Sequence, residues 1–163
     1  MSDFASTSKR LHTIKTRIAG FPLEPMRLVR LTYHLQKSLR DKTNAALKPH
    51  ELTDASYMVL AVLYGSVEET ASASELGEAS FEKPANLTRV CDDLQARGLI
   101  TRGERPGDRR AVMLTLTDQG RRLIEQALPA VYADIERACA SFSDSEMRQF
   151  TALSERFLTA LRG

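Results

Sequence analysis

Apolar residues recur along most of this chain at spacings of three and four, as on helices that pack along one side. Leu11, Ile14 and Ile18 mark a short first helix ended by Gly20, and the small, polar Ser2–Thr7 stretch before it is expected to be loose. From about Leu23 to Leu47 a longer helix carries Leu28, Leu31, Leu35 and Leu39, until Pro49 stops it. Thr53 is placed to cap a third helix that turns Met58, Val59, Val62 and Leu63 inward and ends at Gly65. An acidic Glu68-Glu69 loop follows, and Ser72 with Glu75 has capping-box spacing for a brief helix through Leu76 and Ala79. After a turn at Ser80–Lys83, Pro84 suits a first helical position. Leu87, Val90, Cys91 and Leu94 then fall at i, i+3, i+4 and i+7 before Gly98 terminates the run.

At Leu99 the period changes from helical to alternating. Leu99 and Ile100 open a strand, Pro106-Gly107-Asp108-Arg109-Arg110 forms a tight basic turn, and Val112, Leu114 and Leu116 alternate along the return strand. Helical spacing resumes behind a Thr117 cap with Ile124, Ala127, Val131, Ile135 and Cys139, and Pro129 is expected to kink that helix. Ser143 and Glu146 form a second capping box before a last helix faced by Met147, Phe150, Leu153, Phe157 and Leu161. A short helix followed by a basic-tipped hairpin is a winged helix. The expected fold is therefore mainly α with a small β-hairpin wing, a winged helix-turn-helix. Residues 1–48 supply N-terminal helices of a dimerisation base, 49–117 the DNA-binding domain and 118–163 the C-terminal dimerisation helices. The first and last helices carry more apolar surface than so compact a domain can bury, which two interlocked copies would cover as a homodimer.

Composition narrows the function. At 163 residues and 42% hydrophobic content, the chain has material for a packed core. A formal charge of +2 and a pI near 8.6 are too mild to imply a nucleic-acid partner by themselves. The distribution says more: between Lys83 and Arg110 seven basic residues face four acidic ones, so the excess positive charge lies on the winged helix. No apolar run nears the roughly 18 residues of a membrane span and no secretory leader opens the chain, so a cytoplasmic protein is expected. Cys91 and Cys139 make no disulfide framework there. No nucleophile elbow, phosphate-binding loop or zinc spacing is present, and His12, His34 and His50 are scattered, so neither an enzyme, a metal site nor a cofactor is expected.

The stretch GLITRGERPGDRRAVMLTLTDQG, Gly98 to Gly120, resembles the MarR family of bacterial transcription regulators through its Asp108-Arg109-Arg110 tip and its Leu116-Thr117-x-x-Gly120. FPLEPMRLVRLTYHLQ is similar to the dimer-base helix of the efflux-pump repressors in that family. The resemblance implies a homodimer of MarR type on a palindromic double-stranded operator. It also implies a repressor released by a small aromatic or phenolic effector held between the DNA-binding lobe and the dimer base, for which Tyr33, His34, Tyr57 and Met58 are candidate lining residues. One departure stands out: the family usually has a Leu-Gly-type turn before the recognition helix, where this chain has Ser80-Phe81-Glu82.

Only outward residues in the first two turns of that helix can reach base edges. Arg89 suits guanine, Asn86 adenine, and Ala85 or the Thr88 methyl a thymine methyl; a phosphate contact or an ion pair with Asp92 or Asp93 is the other reading of Arg89. Arg109 is the candidate for a narrow, A·T-rich minor groove. Arg110 either braces the turn against Asp108 or joins Lys83, Arg102 and Arg105 on the phosphate backbone. Two alternatives remain open: a thiol switch at Cys91, weakened by the lack of an obvious basic neighbour, and a winged-helix interaction module that binds no DNA.

Overall fold

The computed structural model describes the backbone of residues 4–80, 82–105 and 108–163, and their side chains apart from 104, 105 and 108–111. The chain forms two compact units, Met1–Ala45 and Ala46–Gly163.

In the first unit, α1 runs Phe4–Arg17, and Gly20 at φ +77° turns the chain toward α2, Leu23–Leu47. The segment expected to be loose is thus helical from Phe4 onward. Its ordering has a cause: the Phe4 ring meets His34 edge-on at 5.3 Å, and Thr7 Oγ1 lies 3.2 Å from His34 Nε2. The leucine stripe of α2 stays exposed on the single chain, Leu28 at 47% and Leu39 at 49%.

The second unit opens with a 3₁₀ turn at Lys48–His50 and then α3, Asp54–Gly65, where Thr53 and Ser56 cap one another's backbone N–H groups. Leu60 joins Val59 and Leu63 as fully buried, whereas Met58 and Val62 are only half-buried. Next come β1, Thr70–Ser72; α4, Ala73–Ser80; α5, Pro84–Ala96; β2, Ile100–Arg105; and β3, Asp108–Leu116. The strands form one antiparallel sheet in the order β1-β3-β2, so the expected hairpin has a third strand. Asp108–Arg110 belong to β3 rather than to the turn, and Pro106 and Gly107 lie outside the described residues. Leu114 and Leu116 face the core, but Val112, farther along the same face, is 48% exposed.

Residues from α3, β1, α4, α5, β2, β3 and the helix that follows meet in one core that includes Leu60, Leu63, Leu76, Leu94, Ile100 and Ile124. Each such side chain contributes roughly 1.5–3 kcal/mol by leaving water. At the end of α5, Gly98 at φ +69° lets Leu99 N–H reach the Leu94 carbonyl and Gly98 N–H the Gln95 carbonyl, both at 2.9 Å, a Schellman stop. Leu116-Thr117-x-x-Gly120 then begins α6, Asp118–Cys139. Thr117 Oγ1 accepts from Gly120 N–H at 3.0 Å and donates to the Gly98 carbonyl at 2.8 Å.

Burial along α6 ends after Val131. The helix runs unbroken through Pro129, but Tyr132 and Ile135 are exposed. The last helix α7, Asp144–Arg162, begins at the Ser143–Glu146 box and buries none of its residues. Among the described residues no helix is long and apolar enough to cross a membrane.

Candidate nucleic-acid interface

The recognition helix α5 is sorted by its own periodicity. Leu87, Val90, Cys91 and Leu94 are buried, and Lys83, Ala85, Thr88 and Arg89 are exposed at the N-terminal end. Pro84 presets the first turn, while Lys83 in extended conformation leads into it. Thr88 donates its hydroxyl to the Pro84 carbonyl at 3.0 Å, so its polar group is satisfied within the helix. Asn86 is half-buried; its Nδ2 donates to Glu82 Oε2 at 2.6 Å and its Oδ1 accepts from Arg89 Nη2 at 3.1 Å.

Farther along α5, the acids are neutralised by arginines from other positions rather than by Arg89. Asp92 pairs with Arg102 of β2 at 2.6 Å, and Asp93 approaches Arg97 at 3.6 Å. Arg97 also donates to the Glu51 carbonyl at 2.9 Å, which ties the end of α5 to the turn before α3. Positive charge is therefore left exposed at Lys83 and Arg89, and repulsive carboxylates are offset behind them. Arg105 lies in β2 and Arg109 and Arg110 in β3, opposite strands of the wing; their side chains are outside the described residues.

Cys91 has a basic neighbour that the sequence did not reveal. Burial pushes its thiol up, Arg102 pulls it partly back, and the balance remains above the ordinary cysteine value. The two residues share the lining of a cavity of about 250 Å³ with Leu87, Thr88 and Leu114. Cys139 is half-buried. Of the candidate effector contacts, Tyr33 and His34 lie in the first unit, Tyr33 exposed and His34 against Phe4 and Thr7. Tyr57 and Met58 lie half-buried on α3, where burial, with Tyr132 and Asp54, pushes the Tyr57 phenol up.

Sequence reasoning missed the clamp that holds the sheet to α6. Arg121 grips both oxygens of Glu69, with Nε–Oε1 at 2.8 Å and Nη2–Oε2 at 2.6 Å, and its Nη1 reaches Asp118 at 3.2 Å. Tyr64 donates to Glu125 at 3.2 Å beside it. The only signal in the chain was an arginine in the first turn of α6, with nothing to name a partner 52 residues away.

Comparison with known proteins agrees with this arrangement. The MarR family profile matches residues 50–111. The chain is 29% identical to the transcriptional repressor MprA of Escherichia coli (strain K12) over 160 residues, 98% of this chain and 91% of that protein. Among solved structures, a mutant MarR from E. coli complexed with operator DNA is similar at a TM-score of 0.73 and 25% identity, over 83% of this chain and 96% of that one. CouR from Rhodococcus jostii RHA1, bound to p-coumaroyl-CoA, is similar at a TM-score of 0.71 and 26% identity, over 78% and 88%.

Proposed function

We propose that the chain, which the MarR family profile matches over residues 50–111, is a transcription regulator of that family that binds a palindromic DNA operator as a homodimer, represses from it in the cytoplasm, and lets go when a small aromatic or phenolic effector binds. The observation that carries the proposal is the charge layout of α5. Lys83 at the N-cap and Arg89 on the second turn stand exposed, and Asp92 is paired behind them. A similar fold holding operator DNA supports placing this end of the helix in the major groove. Arg89 contacts base edges there, with Ala85 and Thr88 beside it. Lys83 and Arg105 contact phosphates, and Arg109 enters the minor groove from the wing with Arg110 behind it. Arg102 joins the phosphate contacts only by loosening its pair with Asp92.

Release follows from linkage. An effector that prefers the conformation in which two recognition helices are wrongly spaced lowers operator affinity by that preference. A similar structure binding an aromatic CoA thioester supports an effector of aromatic character.

The test is selection from a random duplex library by the purified protein at moderate salt. A palindrome with half-site centres about 10 bp apart is expected. Arg109→Ala should weaken the selected site and flatten its A·T preference beside the half-sites. A folded protein that enriches nothing would point instead to an interaction module without DNA binding.

A further inference from the structure

Among the residues that depart from the family's turn, Glu82 has its side chain tied to the exposed end of α5. It stands just before the helix, and its bond from Asn86 is 2.6 Å long, in the range of a charge-assisted contact. An ionised carboxylate only accepts and a guanidinium only donates. An amide held between them therefore has one orientation that satisfies both, with NH₂ toward Glu82 and C=O toward Arg89. Bidentate reading of adenine needs those same two amide atoms at once. The Asn86 amide, half-buried and engaged at both ends, is thus a link between Glu82 and Arg89 rather than a reader.

We infer that Glu82 is a specificity-determining positioning residue: through Asn86 it aims Arg89 at base edges. A departure that looks adverse to DNA binding thereby sharpens it. The inference rests on the proposed function, in which α5 reads DNA.

Library selection with wild type and Arg89→Ala first identifies the base pair that Arg89 reads. Glu82→Ala, Glu82→Gln, Asn86→Ala and the double variant Glu82→Ala/Asn86→Ala are then titrated against duplexes with that pair intact or replaced, after thermal melts show each folded. Glu82→Ala should cut the matched-to-mismatched affinity ratio at that pair about tenfold, while affinity for random duplex stays level or rises. Glu82→Gln keeps an acceptor for Asn86 and should retain most of the ratio. In the Asn86→Ala background, Glu82→Ala should cost nothing more, because the two act in series. An unchanged ratio in Glu82→Ala, an equal loss on all duplexes, or fully additive losses would overturn the role of Glu82. If wild type selects no sequence, DNA reading itself fails, and the role of Glu82 fails with it. If wild type selects a palindrome and Glu82→Ala does not alter it, only the role of Glu82 falls.

Discussion

Gly120 shows how closely one residue is held. A Cβ built there would lie 2.1 Å from the Leu99 carbonyl oxygen and 2.8 Å from Leu116 Cδ1, so the first turn of α6 passes against the end of α5 with no room for a methyl. Gly120→Ala should destabilise the lobe by at least the 1–3 kcal/mol typical of overpacking, read as a lower urea midpoint; an unchanged midpoint would contradict the close approach. Thr117→Ala loses a helix cap and should cost about 1 kcal/mol in the same assay. The sequence displayed Leu116-Thr117-x-x-Gly120 as a pattern, but its reason lay in the position of the Leu99 carbonyl, which only the fold supplies. Cys91 reverses the lesson: its burial was legible from the stripe, whereas Arg102, brought alongside by β2, was not. Its raised thiol leaves little thiolate near neutral pH, so peroxide treatment should leave operator affinity unchanged. A marked loss of affinity, cured by Cys91→Ser, would revive the thiol switch.

Among the elements, β1 was the least legible because three residues carry no measurable period. Thr70, Ala71 and Ser72 form a strand only because β3 offers Thr115, Leu114 and Met113 as partners. The loop before it holds Glu68 and Glu69 at φ 56° and 53°, left-handed positions that typically cost non-glycine residues about 1–3 kcal/mol each. The bidentate grip of Arg121 on Glu69 offsets that strain and fixes the sheet to α6. Hydrogen bonds from Arg121 hold the Glu69 carboxyl below its ordinary range. A depressed folded-state value means that the stabilisation is complete above the unfolded value, near 4.3, and is lost as pH falls through the lower folded one. Wild type should therefore melt above Glu69→Gln at pH 7, and the gap should close in acid. A gap that persists undiminished well below the carboxylate range would show that the carboxylate charge is not what Arg121 holds. The capping boxes at Ser72 and Ser143, by contrast, were readable because both partners lie within four residues.

At the scale of the whole molecule, the apolar faces left over are the strongest statement the chain makes. Phe150 is 55% exposed and Leu161 67%, and α7 buries nothing on the single chain. These faces were legible as helical stripes, but the periodicity that reveals a stripe is silent on whether its own chain or a second copy covers it. A homodimer through these helices predicts a light-scattering mass of twice 18.2 kDa. Phe150→Glu with Leu153→Glu should halve it and abolish operator binding while leaving the winged-helix lobe folded. The central claim, two recognition helices held at a fixed spacing on one palindrome, is tested most directly by changing the DNA rather than the protein. Affinity is measured for the selected duplex and for the same duplex with about 5 bp, half a helical turn, inserted between the half-sites. A rigid dimer should bind the lengthened duplex with little more than random-sequence affinity, because its second helix then meets the wrong face. Equal affinity for the two duplexes would contradict the account.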